Sequence, residues 1–147
     1  MVFERFTSPA RHVIARSQEL AREGRCRRID TYHLLVALAA EEGTDSSRAL
    51  EYLGISEAEL RARAGQYGKR HWRASPAHIP LAERTKEAIR AALREADRRG
   101  DPELRSGDLL AGLAGNEHCA AGRILADLGV GREAARAAVE RASSPPP

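Results

Sequence analysis

The sequence predicts an all-α fold made of two tandem four-helix repeats with pseudo-twofold symmetry. Three observations lead to this prediction. Alanine fills 27 of the 147 positions and aromatic residues only 4%, and a core of alanine and leucine favours helices over strands. No segment shows the sustained apolar–polar alternation of a β-strand. The chain also repeats itself at a spacing of 75 residues.

The internal repeat is clearest in the leucines. Leu34 recurs as Leu109, and Leu50 recurs as Leu125, in the same register. Two copies are too few for a solenoid, so we expect them to pack around one shared core. The predicted organisation is one domain over residues 1–142, with repeat one at 3–67, a linker at 68–79 and repeat two at 80–142, followed by a disordered tail at 143–147.

Capping residues mark the helices of repeat one. Ser8 and Pro9 form a favourable start, because proline is tolerated in the first helical turn, and Gly24 is a typical helix end. Ser56 and Glu59 have the spacing of a capping box. The predicted helices run from Ser8 to Gly24, from Asp30 or Thr31 to about Glu42, through Ala49 and Leu50 to Gly54, and onward from Ser56.

Repeat two follows the same plan. In its first helix, small and apolar residues recur at helical spacing and therefore line one face. That face consists of Thr85, Ala88, Ile89, Ala92 and Ala96. We expect this helix to end at Gly100-Asp101-Pro102, the next to be capped by Ser106, the third to span Cys119 to Leu128, and the fourth to span Gly131 to Arg141.

Composition excludes several classes of protein. The chain is 31% charged and 42% hydrophobic with a net charge of +3, which is typical of a globular domain. Its longest apolar run, Leu34 to Ala40, is far shorter than the roughly 20 residues of a membrane-spanning helix. Residues 1–7 lack the apolar segment of a secretion signal. Two cysteines, Cys26 and Cys119, are too few for a disulfide framework. We therefore expect reduced thiols in a cytoplasmic protein.

Neither a metal site nor a catalytic site is predicted. Structural zinc needs two tight pairs of ligands, and none of the histidine–cysteine combinations has that spacing. Catalysis needs a nucleophile beside a base, or paired carboxylates in a cleft. We expect the acidic residues Glu41, Glu42, Asp97 and Asp101 to be solvated instead. The chain is therefore interpreted as a non-enzyme without cofactor or metal; the combinations considered are Cys26 with His33, His71 with His78, and His118 with Cys119.

Arginine clusters raise the alternative of a basic protein associated with nucleic acid. Arginine with an interleaved tryptophan can contact phosphates and stack on bases. The small net charge, the mixing of acidic residues throughout and the lack of a helix-turn-helix signature make this the less favoured interpretation. The clusters are Arg25 to Arg28, Lys69 to Arg73 around Trp72, and Arg94 to Arg99.

Considered together, the two copies resemble a known family, the N-terminal domain of the Hsp100/Clp ATPases, of the ClpC type. The resemblance extends from Phe3 to about Arg141, with several motifs in the right order and spacing. The matching residues are Phe3-Glu4-Arg5-Phe6-Thr7, Ala10-Arg11, Val13, Gln18-Glu19, Thr31, His33, Leu35, Ala49-Leu50, Leu53-Gly54-Ile55-Ser56, His78-Ile79-Pro80, Arg84 and Lys86.

This resemblance implies a double four-helix repeat with no catalytic machinery, which receives substrate and adaptor proteins for a hexameric unfoldase. The sequence has no Gly-x-x-x-x-Gly-Lys-Ser/Thr phosphate cradle, so ATP binding is not expected. The chain is either a free-standing domain or one excised from an ATPase. If free-standing, it is expected to act as a regulator, adaptor or decoy for Clp proteolysis.

Two departures from the family pattern bear on ligand binding. Relatives that bind phosphoarginine carry Thr-Glu-His at the start of the second helix of each repeat, where the glutamate contacts the ligand's guanidinium. Here the triplets are Thr31-Tyr32-His33 and Ser106-Gly107-Asp108. The loss of both glutamates predicts weak or absent phosphoarginine binding. Tyr32 suggests an aromatic or apolar ligand group instead.

The resemblance also implies a surface for cyclic peptides beside the first helix and the linker. Leu81 replaces a phenylalanine of the family and Arg90 replaces a glutamate, so part of that surface is altered. Phe3 is expected either to contact a partner or to pack on the first helix. The residues predicted to contact proteins or peptides are Phe3, Tyr32, His33, His78, Ile79, Leu81, Lys86, Ser106 and Asp108.

Overall fold

The structure, a computed structural model, describes residues 2–68 and 73–143. Within those ranges the chain is helical, with two isolated β-bridges and no longer strand, which confirms the predicted fold class. A short 3-10 helix, Val2–Arg5, comes first. The α-helices are α1 Ser8–Glu23, α2 Thr31–Ala40, α3 Asp45–Tyr52, α4 Glu57–Ala64, α5 Glu83–Arg98, α6 Ser106–Leu113, α7 Ala120–Asp127 and α8 Arg132–Ser143.

Most of the predicted helix starts are confirmed by their hydrogen bonds. The Thr7 hydroxyl accepts from the backbone N–H of Ala10 and caps α1. The Ser56 hydroxyl accepts from the N–H of Glu59 at the start of α4. The Glu59 carboxylate pairs instead with Arg63, four residues later, so only the Ser56 half of the predicted capping box forms.

Several helix ends differ from the prediction. Ser106 is the first residue of α6 and not its cap, because its hydroxyl bonds to the other repeat. The second helix ends at Ala40, before Glu42. α7 begins after Cys119, whose Sγ accepts from the N–H of Gly122. α8 continues to Ser143; residues 144–147 of the predicted tail and residues 69–72 of the predicted linker lie outside the described ranges.

The segment before the first helix of each repeat pairs with the segment before the second helix of the other. Phe6 forms a parallel bridge with Leu104, and Ile29 forms one with Leu81. The N–H of Leu104 donates to Arg5. The N–H of Ile29 makes the corresponding bond, donating to Pro80. Since the two bridges are equivalent in the 75-residue register, the two repeats contact each other symmetrically.

Hydroxyl groups at two helix starts make a second reciprocal exchange. The first N–H groups of a helix have no partner within that helix. The N–H of Ala121, in the first turn of α7, donates to Thr31 Oγ1 at 3.2 Å. The N–H of Ser46, in the first turn of α3, donates to Ser106 Oγ at 3.1 Å. Each repeat therefore completes a helix start in the other repeat.

One core runs through both repeats. α2 and α6 pack against each other, while α3 packs on α8 and α4 packs on α7, so the third and fourth helices cross between repeats. α2 is apolar almost throughout, and its leucines have no exposed surface. The predicted buried face of α5 is confirmed from Thr85 to Ala96.

Removing the exchanged hydroxyls is expected to destabilise the whole domain. Thr31→Val keeps the shape of the side chain but leaves the buried N–H of Ala121 without an acceptor, which costs about 1–3 kcal/mol. Ser106→Ala does the same to Ser46. Urea unfolding measures the loss, with Ser8→Ala, at an exposed position in the first turn of α1, as the control. Equal stability of Thr31→Val and the control would show that the exchange contributes nothing.

Candidate functional site

A groove opens at the start of α2, between α1 and α4. Its cavity measures 260 Å³. Aliphatic side chains form the walls, and Glu23 and Arg61 add one charge of each sign. We call it the Tyr32 groove; its lining residues are Leu20, Glu23, Gly24, Tyr32, His33, Val36, Arg61 and Ala64.

Tyr32 is the largest side chain of this groove and is half-buried. Its ring stacks with that of Tyr67 at 6.4 Å between centroids and lies 4.2 Å from the His33 ring. Its hydroxyl lies 3.9 Å from Cys26 Sγ. Burial raises the pKa of the Tyr32 phenol, and the neighbouring Cys26 raises it further. The groove therefore offers a neutral aromatic ring.

His33 holds the helix start beneath that ring. Its Nδ1 accepts from the backbone N–H of Asp30 at 2.9 Å, which completes a capping box at the start of α2. The side chain is 6% exposed, and burial lowers its pKa to about 4. His33 is therefore a neutral residue that orients the backbone, and it presents little surface to a partner.

At the equivalent position in repeat two, the start of α6, an ion pair forms within the chain. The Asp108 carboxylate accepts from Arg99 Nε at 3.0 Å and from Arg99 Nη2 at 2.6 Å. It also accepts from the N–H of Arg105 at 2.9 Å. The hydrogen bonds to Asp108 raise the pKa of the Arg99 guanidinium. Because Asp108 is 3% exposed and already holds a guanidinium, it is not free to bind a ligand.

Gly107 closes the position that Tyr32 occupies in repeat one. A Cβ atom at Gly107 would lie 2.5 Å from Val139 Cγ1, and valine is too stiff to move aside at low cost. Next to Asp108 and Val139 there is a cavity of 80 Å³. A wider cleft of 450 Å³ lies on the other side of Ser106. The two repeats therefore present different surfaces at equivalent places.

The predicted contact residues near the linker divide into accessible and buried ones. Ile79 is 1% exposed and packs on Ala21 and Ile29, so, against expectation, it presents almost no surface to a partner. Ser106 Oγ is used by the N–H of Ser46, the Asp108 carboxylate by Arg99, and His33 Nδ1 by the N–H of Asp30, and all three residues are buried. The predicted residues that keep exposed or half-exposed surface are Phe3, Tyr32, His78, Leu81 and Lys86.

The accessible residues of that group do not form one site with Tyr32. Phe3 packs edge-on against Phe6, with 5.1 Å between ring centroids, so its surface is only partly open. Lys86 pairs with Glu83 on the exposed face of α5. Leu81 is held in the bridge to Ile29. Binding of cyclic peptides at this side stays a prediction.

Some residues of the Tyr32 groove were missed from the sequence. Leu20, Val36 and Ala64 come from three helices and meet only when these helices pack. A signal was available in the 75-residue register, since repeat two has a glutamate, Glu95, where repeat one has Leu20. Such a change from leucine to a charged residue marks a surface on which the two copies differ.

Acidic and basic groups are largely used within the domain. Glu41 pairs with Arg16, and Asp101 accepts from Arg99, so these two carboxylates are not freely solvated as expected. The Lys69 to Trp72 part of the basic cluster around Trp72, and His71, lie outside the described residues.

The described part of the chain shows no site for a metal and no membrane span. No three histidine, cysteine, aspartate or glutamate side chains come together there in an arrangement suited to an ion. Among the helices of the same residues, none combines the length and apolar character needed to cross a bilayer.

Comparison with known proteins identifies the family. The model of the Clp repeat (R) N-terminal domain matches residues 5–145. The chain belongs to the Clp N-terminal domain family. This Clp N domain is 30% identical, over 136 residues, to the negative regulator of genetic competence ClpC/MecB of Bacillus subtilis, covering 92% of this chain and 17% of that protein. The chain spans less than a fifth of the length of the curated relatives it matches.

Solved structures confirm the fold of the Clp N domain. The N-terminal domain of the chaperone ClpD from Arabidopsis thaliana superposes with a TM-score of 0.74 at 25% identity, covering 96% of each chain. A ClpV N domain in complex with a VipB peptide gives a TM-score of 0.78 at 15% identity, covering 97% of this chain and 91% of that one. The predicted membership of this family is confirmed.

The buried His33 is expected to make the Clp N domain less stable in acid. Its folded pKa of about 4 lies below the 6.5 of an exposed histidine, so only the unfolded chain takes up the proton between these values. Stability therefore falls as the pH decreases from about 6.5 to 4, by about 3 kcal/mol in all. Urea unfolding at pH 7 and at pH 4.5 measures it.

The matched variant for this experiment is His33→Gln, whose side-chain oxygen can still accept from Asp30. It is expected to lose about 2–3 kcal/mol less stability than the wild type between the two pH values. His12→Gln, at an exposed position on α1, serves as the control and should behave as wild type. An identical pH dependence in all three proteins would contradict the assignment.

Proposed function

We propose that this Clp N domain is a non-catalytic protein-binding module that takes an aromatic or aliphatic side chain of a partner polypeptide into the Tyr32 groove. The observation that carries the proposal is the partly exposed Tyr32 ring in a groove that also has the aliphatic side chains of Leu20, Val36 and Ala64. Tyrosine suits such a role, because it buries a large apolar area while keeping a polar end. A domain of the same fold, that of ClpV, is known in complex with a peptide.

The shape and charge of the groove fit one anchoring side chain. Leu20, Val36 and Ala64 supply apolar walls, so a side chain that enters is removed from water. Glu23 and Arg61, one of each sign, can hydrogen-bond to the donors and acceptors of the peptide backbone around it. A preformed pocket with few polar groups is the usual form of a binding site.

The partners would be substrates or adaptors of a Clp ATPase, in line with the family. As the N-terminal part of an unfoldase, the domain would deliver them to the ATPase modules. As a free-standing chain, it would compete for them as a regulator, adaptor or decoy. In both settings the same groove makes the contact.

We also propose that free phosphoarginine binds weakly or not at all. Repeat one presents Tyr32 in place of the carboxylate, and the Asp108 carboxylate of repeat two is occupied by Arg99. Tyr32→Glu is expected to raise the affinity by up to about a hundredfold, since a charge-assisted hydrogen bond contributes roughly 1.5–3 kcal/mol. Calorimetric titration measures this. A low-micromolar dissociation constant in the wild type would refute the proposal.

The groove itself is tested with a peptide array in which one central side chain varies from aromatic through aliphatic to charged. Peptides with a central aromatic or aliphatic residue are expected to bind best. Tyr32→Ala should weaken their binding by about tenfold or more, since it removes a central aromatic contact. Fluorescence anisotropy on the best peptides measures the change.

Tyr52→Ala is the matched control. Tyr52 is 53% exposed and lies against Arg141, away from the residues that line the groove. Its replacement should leave peptide binding unchanged. Equal binding by Tyr32→Ala, Tyr52→Ala and the wild type would rule out the Tyr32 groove as the contact.

A further inference from the structure

A second groove, on repeat two, has five arginines among the twelve residues that line it. It consists of adjoining cavities of 370 and 260 Å³, which share Ala91, Arg94, Gly112 and Arg132. α5 forms one wall, α8 forms the other, and the end of α6 forms the floor. We call it the arginine groove; its arginines are Arg90, Arg94, Arg98, Arg132 and Arg136.

The two carboxylates of the arginine groove are already paired. Glu95 is 8% exposed and accepts from both Arg136 and Arg98, and these guanidinium groups hold the pKa of its carboxyl below the usual value. Glu87 pairs with Arg84, which does not line the groove, at 3.2 Å. Neither carboxylate is left to neutralise the remaining arginines.

Three guanidinium groups of the groove therefore have unused binding capacity. Arg90, Arg94 and Arg132 are exposed, and across residues 2–68 and 73–143 no carboxylate lies within 4 Å of them. They come from both walls, since the first two lie on α5 and the third begins α8. An anionic group between the walls would be approached from two sides.

At the equivalent face of repeat one, three arginines of the groove are replaced by glutamates, while Arg61 stands in the place of Arg136. Glu19 stands 75 positions before Arg94, Glu23 before Arg98, and Glu57 before Arg132. Both faces are built on the same arrangement of first, second and fourth helices, so the backbone does not require a basic surface here. The excess of arginine over acidic residues is therefore found on this face of repeat two alone.

The floor of the groove is shallow. A Cβ at Gly112 would lie 2.8 Å from the carbonyl oxygen of Ala88, so α5 and α6 approach closely at this point. Ala91 and Ala111 add only methyl groups. A polypeptide can therefore lie along the floor with an arginine wall on each side.

We propose that the arginine groove is a docking site for an acidic polypeptide segment, rich in aspartate or glutamate. Arg90, Arg94 and Arg98 follow each other at four-residue intervals and cover about 12 Å along α5. Carboxylates at alternate positions of an extended segment of about five residues cover the same distance. Arginine binds carboxylates with two parallel hydrogen bonds.

A nucleic acid fits the surface less well. Binding to a phosphate backbone without sequence preference uses a continuous basic track. Here the arginines of α5 cover only about 12 Å, and the equivalent face of repeat one includes three glutamates. A short acidic segment can pair with the arginines of the groove along its whole length.

The proposal is tested by fluorescence anisotropy with a short labelled peptide in which glutamate alternates with alanine. The glutamate peptide is expected to bind, more weakly as salt is added, and its glutamine counterpart is not. Arg94→Glu combined with Arg132→Glu should weaken binding at least about tenfold. Because both arginines are exposed and unpaired within the described residues, thermal unfolding of this variant should match the wild type.

The matched control is Arg27→Glu combined with Arg28→Glu, which makes the same change in net charge at two other exposed positions. It should retain binding, and so should Tyr32→Ala, which separates this site from the Tyr32 groove. The proposal is overturned if the glutamate peptide fails to bind or the glutamine peptide binds equally well. It is also overturned if either control loses as much affinity as the reversal, or if a single-stranded oligonucleotide binds more tightly than the peptide.

Discussion

The exchange of hydrogen bonds between the two repeats is the constraint on which the rest of the structure depends. Thr31 accepts from Ala121, and Ser106 accepts from Ser46, so a helix start in each repeat is completed by the other. Buried N–H groups without partners are costly. A separated repeat would leave these groups unpaired and would expose the shared core along α2 and α6. The two repeats are therefore expected to fold as one unit.

A symmetric backbone of this kind leaves the side chains free to diverge. The third and fourth helices cross between repeats, and Leu50 of α3 and its counterpart Leu125 of α7 are both buried. The faces beside the second helices do not have to match each other. Repeat one has Tyr32 and Leu20 there, and repeat two has Gly107 and Glu95. One face is consequently an open aromatic groove, and the other is organised by ion pairs.

The starts of α2 and α6 differ in the charge of the side chain that bonds to the backbone. In repeat one, His33 is neutral and bonds to the backbone of Asp30. In repeat two, Asp108 bonds to the backbone of Arg105 and needs Arg99 to balance its charge. Both bonds satisfy the same N–H position, since a helix start needs an acceptor there. The second solution brings the Arg99 guanidinium with it, which occupies both oxygens of the Asp108 carboxylate.

The sequence alone determined the helical class, the repeat and the family. Capping residues and leucine spacing are local signals, and the 75-residue register recurs along the chain. It also singled out Tyr32. It did not show that Ile79, Ser106, His33 and Asp108 are buried, since burial depends on which distant segments pack on a residue. The walls of the Tyr32 groove and the arginine groove were decided only by tertiary structure. Each brings together side chains from three helices, and no spacing within one helix reveals that meeting.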